Sequence, residues 1–199
     1  MRFIHVADVH WGMVPDADQP WGRDRANDIR ATFRRIIERC RESNVDCLFI
    51  AGDLFHRQPM NKDLQELNYL FGTIPSTHVV IISGEHDRVE ANSALLSFNW
   101  SPNVHWILED TPQSVYFDDI NTEVYGFSYH TRELRETVID GIHPAEDGHI
   151  HILLAHGGDR DHMPVETEAW AALPFDYLAL GHIHKPTGRK LPCHVGKHM

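Results

Sequence analysis

Apolar residues in this chain follow two rhythms. Short apolar blocks at residues 2–7, 45–51, 78–82, 104–108, 149–155 and 177–180 are rich in Val, Ile, Leu and Phe and read as buried strands. Residues 114–117 and 123–127 are separated by Asp118-Asp119-Ile120-Asn121 and read as a hairpin. The second rhythm is helical. Ile29, Phe33, Ile36 and Ile37 recur among arginines over residues 23–43, and Leu64, Leu67, Leu70 and Phe71 form a stripe over residues 62–71. Shorter helices are expected over 131–139 and 166–173. Strands alternate with helices first, and a strand-rich half comes after them, so the pattern predicts an α/β fold of two sheets packed together with helices outside.

The residues at the strand ends matter more than the strands themselves. Five strands stop at a small residue and run into candidate ligands: Asp8-Val9-His10, Gly52-Asp53, Gly84-Glu85-His86-Asp87, His156-Gly157-Gly158 and Gly181-His182-Ile183-His184. A carboxylate at the tip of a buried strand is costly unless something cationic meets it. If the tips converge, carboxylates and imidazoles without thiolate form a site suited to two divalent ions, Mn before Fe, Zn or Mg. Asp53 is the carboxylate placed to be shared. Two ions held together in this way activate water and clamp a phosphoryl group.

Composition narrows the reading. The chain has 199 residues, 42% hydrophobic and 24% charged, which suits one globular domain. A net charge of -11 argues against a protein that coats nucleic acid, but not against DNA at a site whose sign bound metal inverts. Sixteen histidines are the compositional oddity and fit metal chemistry. Cys40, Cys47 and Cys193 show no CxxC spacing and read as reduced thiols of a cytoplasmic protein. The chain opens directly into a strand, and no apolar run reaches membrane-spanning length, so no signal peptide and no membrane partner are expected.

These segments, in this order from about Arg2 to His184, resemble the calcineurin-like metallophosphoesterases. Asp8-Val9-His10-Trp11-Gly12, Gly52-Asp53-Leu54-Phe55-His56 and Ala155-His156-Gly157-Gly158 are similar to the SbcD/Mre11 branch of DNA repair nucleases within that superfamily. The resemblance implies a four-layer fold, two mixed sheets face to face with helices on both outer sides. It implies that Asp8, His10, Asp53 and His184 hold one ion, and that Asp53, Glu85, His156 and His182 hold the other. A hydroxide activated between the ions would attack phosphorus in line. His86 would stabilise the transition state or protonate the leaving oxygen, and His56 would sit by the substrate phosphate. The implied function is a DNA exonuclease or endonuclease working with an SbcC/Rad50-like ATPase, as a homodimer in some relatives.

Two departures from that family pattern stand out. Its metal-binding Asn is Glu85 here, which adds a methylene and a negative charge and removes a donor. Only residues 185–199 lie beyond the last motif, so the family's C-terminal strands and cap are expected to be missing from a single domain spanning 1–199. The alternatives are therefore a phosphoesterase for small substrates such as nucleotides, and a catalytically weakened scaffold.

Other residues with the right chemistry read as structural. His149 and His151 open their strand, roughly 15–25 Å from His156 at ordinary strand rise. His5 sits within a strand, and His78 and His105 open theirs. Asp87 is expected to orient His86 from behind. Asp118 and Asp119 suit a turn, Asp159 to His162 a solvated charge run, and the arginines of the first helix a solvated face.

Overall fold

The computed structural model describes residues 1–139, 142–164 and 172–184. The elements run β1 (Phe3–Val6), α1 (Gly22–Glu42), β2 (Cys47–Ala51), α2 (Asn61–Gly72), β3 (His78–Ile82), β4 (Val104–Ile107), β5 (Gln113–Phe117), β6 (Thr122–Gly126), β7 (Ile150–His156) and β8 (Tyr177–Gly181). They build two four-stranded sheets, ordered β1-β2-β3-β4 and β5-β6-β7-β8. The first sheet is parallel throughout. Only the second mixes directions, because the β5–β6 hairpin is antiparallel while β6, β7 and β8 run parallel.

Strand β2 shows why the layers form. All five of its residues are fully buried, and their period-2 alternation splits them between two cores. Leu48 and Ile50 face outward with Val79 and Ile81, under Phe33, Ile37 and Cys40 of α1 and Leu64, Leu67 and Phe71 of α2. Cys47, Phe49 and Ala51 face the second sheet, where with Val80 and Ile82 they meet Val124, Ile152, Leu154 and Ala179. Leu153 and Ala155 point to the far side of the second sheet, against Phe127, Ile139, Ile142, Met163 and Phe175.

The two helices are fastened to each other by charge. Arg30 and Arg34 of α1 both reach Glu66 of α2 at 2.9 Å, and Arg30 also lies 5.0 Å over the Trp11 ring. These arginines are inter-helix clamps rather than the solvated face expected of them. Residues 131–139 do not form a helix. Leu134 instead exchanges backbone hydrogen bonds with the 161–163 segment, donating to Asp161 at 2.9 Å and accepting from Met163 at 2.5 Å. The helix expected over 166–173 falls almost wholly outside the described residues. Cys40 and Cys47 are buried free thiols whose pKa values burial raises to about 11 and about 12, and Cys193 is outside the described residues. Among the described residues no helix is long and apolar enough to cross a membrane.

Parallel pairing has one consequence for function. Strands β1, β2 and β3 all end at the same edge of their sheet, and β7 and β8 end against them, where the His156 ring donates from Nδ1 to the Ala51 carbonyl at 2.8 Å. The five ligand-bearing tips therefore share one end of the sandwich. The layer between the sheets holds that end together. Truncating its fully buried phenylalanine, Phe49→Ala, is expected to cost about 3–5 kcal/mol of folding free energy, read by urea denaturation.

Candidate metal centre

The loops after β1 and β2 zip together beyond the sheet. Asp8 N–H donates to Gly52 O at 3.1 Å, His10 to Asp53 O at 3.0 Å and Trp11 to Leu54 O at 2.8 Å, and His56 N–H returns to Trp11 O at 3.1 Å. The ladder forces Asp8, His10 and Asp53 into left-handed conformations, with φ of 53°, 49° and 51°. Each such residue costs about 1–3 kcal/mol, and only a surrounding frame that over-determines it sustains the strain. Trp11 and Phe55, both about 1% exposed, anchor the two loops in the core.

Asp53 is itself only 1% exposed, and its Oδ1 accepts the His86 N–H at 3.0 Å. Around its Oδ2 stand His156 Nε2 at 3.6 Å and His10 Nε2 at 3.8 Å. On one side Asp8 Oδ1 lies 3.2 Å from His184 Nε2. On the other the Glu85 carboxylate spans two imidazoles, reaching His156 Nε2 at 2.8 Å and His182 Nδ1 at 3.2 Å. Among the described residues no Lys or Arg pairs with Asp8, Asp53 or Glu85.

The donor atoms fit divalent cations. Asp8, His10 and His184 bring their ligand atoms within 4.8 Å of one another, as do Glu85, His156 and His182, and as do Asp8, Asp53 and His156. His10 Nε2 is buried without a hydrogen-bond partner among the described residues, and burial lowers the pKa of that ring. Burial also opposes charge on His156, yet Asp53 and Glu85 outweigh it and hold that imidazole well above its usual range. The same holds for Glu85, whose desolvation is overcome by the hydrogen bonds to His156 and His182, so its carboxyl lies well below the usual range. The carboxylates around His156 supply negative charge that a metal ion there would neutralise.

A family model described as calcineurin-like phosphoesterase matches residues 1–186. The chain belongs to the calcineurin-like phosphoesterase family. It is 28% identical over 204 residues to the uncharacterized metallophosphoesterase YhaO of Bacillus subtilis, covering 93% of this chain and 49% of the relative. The DNA double-strand break repair protein Mre11 of Archaeoglobus fulgidus is 27% identical over 213 residues, 94% of this chain and 46% of that protein. A subunit of the SbcCD nuclease of Rhodobacter capsulatus is 34% identical over a shorter stretch of 104 residues, 48% of this chain and 24% of that protein. The chain thus spans about half the length of the first two of these relatives.

Within this centre the remaining candidates take definite places. His86 donates from Nδ1 to the His56 carbonyl at 2.9 Å, which leaves Nε2 uncommitted. The His56 ring stacks on it, with centroids 5.0 Å apart and planes 24° off parallel. Asp87 does not orient the His86 ring as expected. Its oxygens accept the N–H groups of Gly84 at 2.8 Å and Phe55 at 3.0 Å, so the carboxylate ties the β3 loop to the β2 loop. Burial, with Asp53 nearby, raises its pKa to about 7. His149 and His151 are at the other end of β7, joined by Asp147 at 3.0 Å to each ring, away from the centre.

The sequence pattern misses one participant. Asp159 Oδ2 meets His182 Nε2 at 2.8 Å, and Asp159, His162 and His182 converge. The two glycines before Asp159 are the available signal, since they let the chain double back from His156.

His156 is enclosed by backbone. A Cβ at Gly84 would fall against the Asp53 carboxylate and 2.7 Å from His156 Nε2, and Gly52 and Gly181 would likewise meet the ring. Gly84→Ala is expected to weaken Mn uptake about ten- to a hundredfold, by elemental analysis after dialysis, with the far-UV circular dichroism unchanged.

Proposed function

We propose that the chain is a single metallophosphoesterase domain that hydrolyses DNA phosphodiesters, a nuclease of the SbcD/Mre11 type. The convergence of ligand atoms from five strand ends on Asp53 is the observation that carries this reading. Asp8, His10, Asp53 and His184 would hold one divalent ion, and Asp53, Glu85, His156 and His182 a second. Carboxylate and imidazole donors favour Mn, with Fe, Zn or Mg as substitutes. When bound, the ions supply Lewis acidity at a phosphoryl oxygen and lower the pKa of water.

The chain's own residues do the rest. With Nδ1–H given to a carbonyl, His86 presents Nε2 to the substrate side, where the imidazolium form can hand its Nε2 proton to the leaving oxygen and return to the neutral Nδ1–H ring. Burial and the neighbouring His86 lower the pKa of His56, and that ring would sit beside the scissile phosphate. Both rings line a cavity of about 640 Å³ with Arg57, Arg88 and Arg132. Arg88 is neutralised by Glu90, but Arg57 and Arg132 are exposed and make no ion pair among the described residues. Glu85, Glu133 and Asp161 line the same cavity, so Arg57 and Arg132 are local guanidinium groups beside the His56–His86 pair, placed to meet backbone phosphates, rather than a net positive surface. The proposal includes an SbcC/Rad50-like ATPase partner and homodimer formation, both from the family resemblance, and a cytoplasmic location, from cysteines that lack disulfide or CxxC spacing. A weakened scaffold is the second reading, favoured by Glu85, whose extra charge lies where a phosphodiester must approach.

A Mn-supplemented assay on short DNA beside bis-p-nitrophenyl phosphate tests these readings. The nuclease reading expects DNA cleavage that falls about 10²- to 10⁴-fold in His86→Ala. Hydrolysis of the small diester alone supports the small-substrate alternative, and silence on both supports the scaffold. In chelator, charge reversal at Arg57 or Arg132 is expected to reduce the salt slope of DNA binding by about one unit each, measured by fluorescence anisotropy.

A further inference from the structure

Each imidazole at the centre can offer a lone pair from one nitrogen only if its other nitrogen keeps the proton, so a ligand histidine needs a second partner. His156 has one in the Ala51 carbonyl. His182 has something different. Its backbone N–H is held by Asp8 at 3.0 Å, its Nδ1 faces Glu85, and its Nε2 meets Asp159 Oδ2 at 2.8 Å.

The Asp159 side chain is fixed for that task by its own loop. Its Oδ1 accepts the N–H groups of Asp161 and His162 and the Nδ1–H of His162, all at 2.9 Å. Only Oδ2 is left to point at His182. The loop reaches this position because Gly157 and Gly158 adopt φ of 146° and 121°, and a Cβ at Gly157 would lie 2.9 Å from the Met163 side chain. Gly157 N–H bonds the Gly181 carbonyl at 3.3 Å, which docks the loop on the residue before His182.

We propose that Asp159, steadied by His162, is a positioning residue for the Glu85–His156–His182 metal position. By accepting a hydrogen bond from the Nε2–H of His182 it leaves Nδ1 as the lone-pair donor. The inference rests on the two-ion reading above. It also gives this position a carboxylate behind the ligand as well as the one Glu85 adds, so its ion is held by more negative charge than its partner's. Asp159 touches neither substrate nor reacting atoms in this role.

The predicted signature is a swapped proton. In Asp159→Asn the amide oxygen stays with the three N–H donors of its loop, so the NH₂ group faces His182 Nε2. That donor forces the ring proton onto Nδ1, the wrong nitrogen for a ligand. Asp159→Ala removes the partner without imposing the swap.

The test uses the whole chain, stripped of metal and titrated calorimetrically with MnCl₂. Nitrogen-15 spectra of the His182 ring are recorded in chelator at a pH where the ring is neutral. Wild-type protein should bind two ions and carry the proton on Nε2. Asp159→Ala should weaken one of the two binding events about ten- to a hundredfold and leave the other unchanged. Asp159→Asn should weaken the same event at least as much, with the His182 proton on Nδ1, and both variants should melt within a few degrees of wild type in chelator. Wild-type affinity in both variants, an Nδ1 proton in the wild type, or a third ion bound per chain would each overturn the proposal. If wild-type protein takes up no ion, the two-ion reading fails and the inference falls with it. Loss of Mn binding by the variants alone, with the Nε2 tautomer unchanged in Asp159→Asn, also overturns it, because the effect would then not run through the ring proton.

Discussion

A buried negative charge is the constraint on which the structure turns. Asp53 comes after a strand with no exposed residue, and its carboxylate is almost wholly removed from water. Placing an unpaired carboxylate there costs several kcal/mol. Offsetting that cost takes donors and cations, and the fold supplies the places for them. Parallel pairing of β1, β2 and β3 brings Asp8, His10 and Glu85 to the same edge, and the face-to-face second sheet brings His156, His182 and His184. The left-handed backbone at Asp8, His10 and Asp53 is the local strain this gathering entails.

The centre is held by two kinds of support. Backbone groups fix the oxygens and ring nitrogens that must not move: Ala51 O for His156, His56 O for His86, and the Gly84 and Phe55 N–H groups for Asp87. Asp87, raised toward neutrality by burial, is a tie between loops rather than another charge competing for metal. Close approach of backbone to His156 is possible because glycine stands at 52, 84 and 181. Substituting Glu85 for the family's Asn keeps an oxygen donor but adds charge, and the structure uses both oxygens to span His156 and His182.

Much of this was legible in the sequence because it depends on local pattern. The strand blocks, the two amphipathic helices and the ligands at the strand tips all derive from short-range spacing, and the structure gathers these tips at one end. What was not legible is non-local. Nothing in residues 2–7 or 104–108 says that every neighbour in the first sheet runs parallel. Residues 131–139 carry Leu134, Val138 and Ile139 at helical spacing, but their backbone partners are 161–163. Arg30 and Arg34 look solvated until Glu66 of α2 is brought beside them. Asp159 sits in a run of charged residues and reads as one of them. Its role depends on a glycine-assisted turn that lands it on a histidine 23 residues away.

The central claim is that two ions bind on either side of the Asp53 carboxylate. Anomalous diffraction from a manganese-grown crystal of this chain tests it most directly. The account predicts two peaks, one against Asp8, His10 and His184, the other against Glu85, His156 and His182, with Asp53 between them. Peaks absent from Asp53, or His182 and His184 turned away from the density, would contradict it.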